Sequence, residues 1–273
     1  MARAGYGMVV VDPVSNVRGL EAFDTASMVK RLRADAICLA YFNVGQAEDY
    51  RTYWRKEWRA PTRERPGAPA FLLTVDPEGW KGDYPVAFWE KDWKEILARR
   101  IDDVVRQGFD GIYCDWVLAF DDPTVRQAAT AAGIDGPRAM ADLLQDLRKR
   151  ARKRNPRFLL VMQNGGSLFD AVPGMASRVD GYAQEPVSFG GAAGAGWEDA
   201  AAGDKALPAT GDWSTQGMLA SLRKIRALGV PTFTIDYAID PAHARIARDR
   251  ACEVGAVPFV TRVPLDRLPA RSR

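Results

Sequence analysis

The chain is predicted to be an α/β protein, a single-domain (β/α)₈ TIM barrel over residues 1–273. Three observations predict it. Eight short apolar runs of strand character are spaced along the sequence, and helical segments with one apolar stripe alternate with them. Run after run ends in an acidic or amide residue. In a barrel of parallel strands those C-terminal ends converge on one rim, where such folds build their active sites.

The runs, in order, are GMVVVD, ICLAYF, AFLLTV, GIYCDW, FLLVMQN, VDGYAQE, PTFTIDY and VPFVTR. Most are continuously apolar over four to six residues, as parallel strands covered by helices are. After the third run, WEKDWKEILARRIDDVVRQG places Trp93, Ile96, Leu97, Val104 and Val105 at helical spacing, and Gly108 stops it. After the fourth, PRAMADLLQDLRKRARKRN carries Met140, Leu143, Leu144 and Leu147 on one stripe, with Pro137 near its start. After the sixth, TQGMLASLRKIRALG turns Leu219, Leu222 and Ile225 inward and ends at Gly229. Two connections are long. One follows the second run and is rich in aromatic and charged residues; the other follows the sixth, is rich in Gly and Ala, and has Trp197 and Trp213 as expected anchors. Both leave strand ends, so both belong to the active face.

Bulk properties narrow the function. A hydrophobic content of 47% with 27% charged residues is that of a globular domain with an ample core. The net charge is only +3, and many basic residues gather in RKRARKRNPR, which reads as a solvated helix end; no nucleic-acid partner is expected. Three cysteines without CxxC spacing read as buried thiols. A lone histidine, His243, sits in a helix-start context after Asp240-Pro241. Sites needing several imidazoles are thereby excluded, as are Ser-His-Asp and Cys-His catalysis unless His243 serves. No apolar stretch reaches 18 residues, so no membrane span is expected. The N-terminal MARAGYGMVVVD leads straight into a strand and does not read as a signal peptide. Nothing sets an oligomeric state.

The strand ends carry Asp12, then Tyr41 and Asn43, Asp76, Asp115, Gln163 with Asn164, Glu185, Asp236 and finally Arg262. One aspartate at a strand-to-helix junction is usually a helix cap or turn residue. Five carboxylates on one concave rim repel each other, and such clusters tend to be functional. Three chemistries fit. A divalent-metal site would use the hard oxygen donors Asp12, Asp76, Asp115 and Asp236, although no tight acidic spacing supports it, and no metal or cofactor is expected. A sugar-binding barrel without catalysis would use the aromatics and amides. A glycosidase would use two carboxylates, one as nucleophile or base and one as proton donor, and it accounts for the most residues at once. Candidate stacking surfaces are Tyr41, Tyr50, Trp54, Trp80, Tyr84 and Tyr237, and Glu48, Tyr50 and Arg51 either line the cleft or tie its loop down.

The strings YFNVGQAEDYRTYW, WKGDYPVAFWEKDWKEIL, GFDGIYCDW, FLLVMQNG and YAQEP resemble, in order and spacing, the endo-α-1,4-polygalactosaminidase family, glycoside hydrolase family 114. The resemblance covers nearly the whole chain. It implies a (β/α)₈ barrel that hydrolyses α-1,4-linked galactosamine polysaccharide or oligosaccharide, usually outside the cell or in the periplasm, without a cofactor. It puts the family's catalytic aspartate on Asp115 and its glutamate on Glu185. By the similar layout of retaining α-galactosidases, Asp115 would be the nucleophile and Glu185 the acid/base. Substrate-binding candidates are then Asp12, Tyr41, Asn43, Asp76, Tyr84, Asn164, Tyr182, Asp236, Tyr237 and Arg262. Asn164 or Arg262 is expected to favour the ionised form of Asp115. The separation of the two carboxyl groups discriminates mechanisms: about 5–5.5 Å for retention, about 6.5–9.5 Å for inversion.

Overall fold

The computed structural model describes residues 5–13 and 24–267. The start of the signal-peptide reading, residues 1–4, lies outside them. The chain forms two compact units, Met1–Pro77 with Lys81–Val179, and Glu78–Trp80 with Asp180–Arg273.

In the first unit the chain runs through β1 (Met8–Val11), α1 (Thr25–Leu32), β2 (Ile37–Asn43), β3 (Gln46–Glu48), β4 (Asp83–Pro85), α2 (Lys91–Arg106), β5 (Gly111–Asp115), α3 (Pro123–Ala131), α4 (Gly136–Arg152), β6 (Leu159–Gln163) and α5 (Leu168–Ala171). Strands β1, β2, β5 and β6 pair in parallel in that order. The register sets Asn43 beside Asp115 at the strand ends. Helix α2 buries Trp93, Ile96, Leu97, Ile101 and Val104, while Val105 is only half-buried. The predicted stripe of α4 is buried throughout, and Gly108 takes the left-handed conformation (φ +87°) that ends α2. The basic run is largely exposed, as a solvated helix end is, and two of its arginines also pair at the surface. Arg150 makes a two-pronged pair with Asp102 at 3.0 and 2.7 Å, and Arg148 donates to the Ser177 carbonyl at 2.7 Å.

The third predicted strand, AFLLTV, is not one. Phe71 and Leu72 are buried, but the segment lies between Pro69 and Pro77 and pairs antiparallel with the β4 segment. Leu72 bridges Val86, and Leu73 N–H reaches the Pro85 carbonyl at 3.0 Å. Its apolar side chains serve packing, while β3 and β4 form an antiparallel pair with Glu48 opposite Asp83.

The second unit contains β7 (Gly181–Gln184), β8 (Phe189–Gly190), β9 (Lys205–Ala206), α6 (Thr215–Ala227), β10 (Thr232–Tyr237), α7 (Pro241–Glu253) and β11 (Val257–Thr261). Strands β7, β10 and β11 pair in parallel, so seven of the eight predicted runs become parallel strands among the described residues, four in one unit and three in the other. Helix α6 buries Leu219, Leu222 and Ile225, and α7 starts at Pro241 with Asp240 capping Ala242 N–H at 2.7 Å. Two expectations fail here. Cys252 is exposed, because α7 turns Ala247 and Ala251 inward, whereas Cys38 and Cys114 are buried. Trp213 is 52% exposed; Trp197, half-buried, lies under the guanidinium of Arg262, 5.3 Å from the ring centre.

Candidate active site

The first unit presents Asp115. Alternation along β5 places it on the side of Tyr113, with Cys114 fully buried on the other, its thiol pushed up by burial. Both carboxylate oxygens are engaged. Tyr41 OH donates to Oδ2 at 2.6 Å, and Trp116 N–H donates to Oδ1 at 2.6 Å, an approach made by the left-handed backbone of Trp116 (φ 56°). Burial above all, then the charges of Asp115 and Glu48, holds the Tyr41 hydroxyl protonated well beyond its ordinary range. It is thus a permanent donor to that oxygen. Room for this corner depends on Gly45: a Cβ there would meet the Trp116 carbonyl oxygen at 2.2 Å.

Asn43, next to Asp115, is fully buried and builds a turn. Its Oδ1 accepts from the N–H groups of Gly45 and Gln46 at 3.2 and 2.8 Å, and its Nδ2 donates to Gln46 Oε1 at 3.2 Å. Gln46 passes the chain on, donating to Asp76 Oδ2 at 2.6 Å. A second network surrounds Arg51, whose guanidinium clasps the fully buried Glu48 at 2.9 and 2.8 Å and the partly exposed Asp12 at 2.6 and 2.9 Å. Tyr50 OH adds a bond to Glu48 at 2.9 Å. The EDYR segment therefore ties its loop down, and Asp12 is held by a cation. Tyr84 donates to Asp49 at 2.9 Å and leans on the buried Trp54, which is packing rather than a platform. Asn164, half-buried after β6, takes a left-handed conformation (φ 57°).

Asp83 is the residue that the sequence reading missed. Paired across from Glu48, with one carboxyl oxygen buried and lacking a hydrogen-bond partner, it is pushed up to about 8 by burial first, then by Glu48 and, more weakly, Asp76 and Asp115, against the opposing Tyr50 hydroxyl. An aspartate whose folded value exceeds the unfolded one costs stability as pH rises from about 4, and the cost levels off above about 8. Asp83→Asn is expected to raise the melting temperature at pH 8.5 and to leave it nearly unchanged at pH 4. Equal gains at both pH values in thermal melts would contradict this.

The second unit presents Glu185, which follows β7. Tyr237 OH, at the end of β10, donates to Glu185 Oε1, and the Glu185–Pro186 peptide bond is cis. Asp236, one residue earlier, is buried, and its Oδ1 accepts from the N–H groups of Val187, Ser188 and Phe189. Burial raises its carboxyl and those three donors lower it, with burial prevailing. Three sequence expectations change. Asp236 holds the Val187–Phe189 loop through its Oδ1. Tyr182 is fully enclosed, its hydroxyl donating to Gln184 Oε1 within β7. Within its own unit the Arg262 guanidinium donates to the Trp197 carbonyl and lies 3.6 Å from Glu198. His243 meets Asp204 at 3.0 Å and stacks on Phe189, a structural pairing. Among the described residues no group of three or more His, Cys, Asp or Glu is arranged to hold a metal ion, and no helix is long and apolar enough to cross a membrane.

A protein of Deinococcus radiodurans without an assigned function is 33% identical over 269 residues, covering 96% of this chain and 75% of its own length. One from Thermotoga maritima is 28% identical, covering 97% and 77%. The glycoside hydrolase domain of PelA from Pseudomonas aeruginosa superposes with a TM-score of 0.64 at 21% identity, over 96% of this chain and 90% of that one. Ega3 of Aspergillus fumigatus, solved in complex with galactosamine, gives 0.63 at 16% identity, over 89% and 82%. These likenesses show the fold, a barrel of the (β/α)₈ class. The profile of glycoside-hydrolase family GH114 matches residues 6–268, and the chain belongs to that family.

Proposed function

We propose that this glycoside hydrolase cleaves an α-1,4-linked galactosamine-type polysaccharide by a retaining mechanism, acting as one barrel over residues 1–273. The observation that carries the reading is that each of two strand-end carboxylates has a tyrosine hydroxyl on it: Tyr41 on Asp115 and Tyr237 on Glu185. The galactosamine bound to Ega3 supports the sugar class. Asp115, with donors on both oxygens, attacks the anomeric carbon as Glu185 protonates the departing glycosidic oxygen. Glu185, now ionised, takes a proton from water, which displaces Asp115 from the glycosyl ester. Resemblance to the family supports an activity outside the cytoplasm.

The test is reducing-end release from α-1,4-linked polymers of galactosamine, N-acetylgalactosamine and galactose. The galactosamine polymer is expected to be cut fastest. Binding to all three with no reducing ends released would show a carbohydrate-binding barrel and overturn the proposal.

A further inference from the structure

We infer that Asp236 is a positioning residue for Glu185: it fixes the backbone that carries the acid/base and makes no contact with substrate. The inference rests on the catalytic reading of Glu185 given above. The chain leaving Glu185 passes through Pro186 into Val187, Ser188 and Phe189, whose residues are 1%, 2% and 8% exposed. Buried N–H groups in a segment this irregular need acceptors from outside it. One oxygen supplies all of them, with Asp236 Oδ1 lying 3.1, 2.5 and 2.9 Å from the three nitrogens. Three converging donors on one acceptor define the path of the segment more tightly than a single bond does.

The neighbouring residue completes the arrangement. Successive side chains of a strand point to opposite faces, so the end of β10 uses both faces for Glu185. Asp236 holds the backbone beyond it, and Tyr237 OH binds its carboxyl group. Register is set by pairing with both neighbours: Thr234 lies beside Gln184 of β7, and Asp236 beside Val260 of β11. Phe189, the last of the three donors, also packs in the apolar cluster with Ala247 and Val260, which seats the far end of the segment. Two adjacent residues of one strand therefore determine where the carboxyl group sits and which hydroxyl it meets. General acid catalysis is sensitive to displacements of about 1 Å, so loosening this segment should show in turnover.

The experiment compares Asp236→Asn, Asp236→Ala, Glu185→Gln and Asp236→Ala/Glu185→Gln on the galactosamine polymer. It repeats them on an oligosaccharide with a 2,4-dinitrophenyl leaving group, which departs without acid assistance. Asp236→Asn keeps an acceptor at Oδ1 and is expected to stay within about 5-fold of wild type in kcat, with an unchanged melting temperature. Asp236→Ala is expected to lose about 30–100-fold in kcat on the polymer, with KM within about 3-fold. On the dinitrophenyl substrate it should lose less than about 5-fold in the glycosylation step. In Glu185→Gln background the alanine change should add little, since both act through one group. A KM rise without loss of kcat would make Asp236 a substrate contact, and equal losses on both substrates that add to those of Glu185→Gln would make it purely structural; either overturns the inference. Should Asp236→Ala not fold, the contrast is carried by Asp236→Asn and by Asp236→Ser, which shortens the acceptor; equal activity of these two on the polymer overturns it. If Glu185→Gln itself shows no dependence on leaving group, the acid/base reading fails, an outcome distinct from failure of Asp236.

Discussion

Asp115→Asn is expected to lower kcat on the order of 10⁴-fold while leaving KM within a few-fold and the fold intact. The asymmetry follows from the geometry. An asparagine keeps an acceptor for Trp116 N–H, and its amide can donate to Tyr41 OH, so the corner at the end of β5 retains its shape. What it loses, on the proposed mechanism, is the electron pair that would form the glycosyl ester. Azide supplies that pair to a variant with room for it: Asp115→Gly with azide is expected to yield a β-glycosyl azide, whereas Glu185→Ala with azide yields the α form. Full activity in Asp115→Asn would move the nucleophile elsewhere.

The largest effect on stability is expected from Arg51→Ala. Glu48 is fully buried and meets Arg51 through both oxygens, and the same guanidinium holds Asp12. Arg100 lies 3.9 Å from Glu48, too far to replace a hydrogen-bonded pair. Removing one partner of a buried ion pair strands the other charge, at about 3–5 kcal/mol. For a chain of this size the melting temperature should fall by roughly 10 °C. Arg51→Ala/Glu48→Gln is expected to recover more than half of the loss, because the stranded charge and not the missing contact is the main cost. Thermal melts of the four proteins decide it, and additive losses would contradict the account.

How much of this was legible follows from the range of each interaction. The stripes of α2, α4 and α6 were readable because helical spacing is local, and burial of Leu143, Leu144 and Leu147 or Leu219, Leu222 and Ile225 follows from it. AFLLTV misled because an apolar run reports burial and not pairing; its partner across β4 is set by chain reversal between prolines. Asp83 stayed hidden because the Glu48–Asp83 pairing joins strands of three residues separated by a long connection. Asp115 and Glu185 stood out as strand-end carboxylates, but their tyrosine partners come from other strands. Asp236 and Tyr237 show the limit most clearly. Both end an apolar run, and which of the two faces Glu185 depends on strand phase, where one residue exchanges the faces.

The most direct measurement is the anomeric configuration of the first product, followed by proton NMR during cleavage of the galactosamine polymer before mutarotation. Double displacement through Asp115 predicts that the α-anomer forms first and the β-anomer appears only afterwards. A β-anomer at the earliest times would mean a single displacement by water and would contradict the assignment of Asp115 as nucleophile.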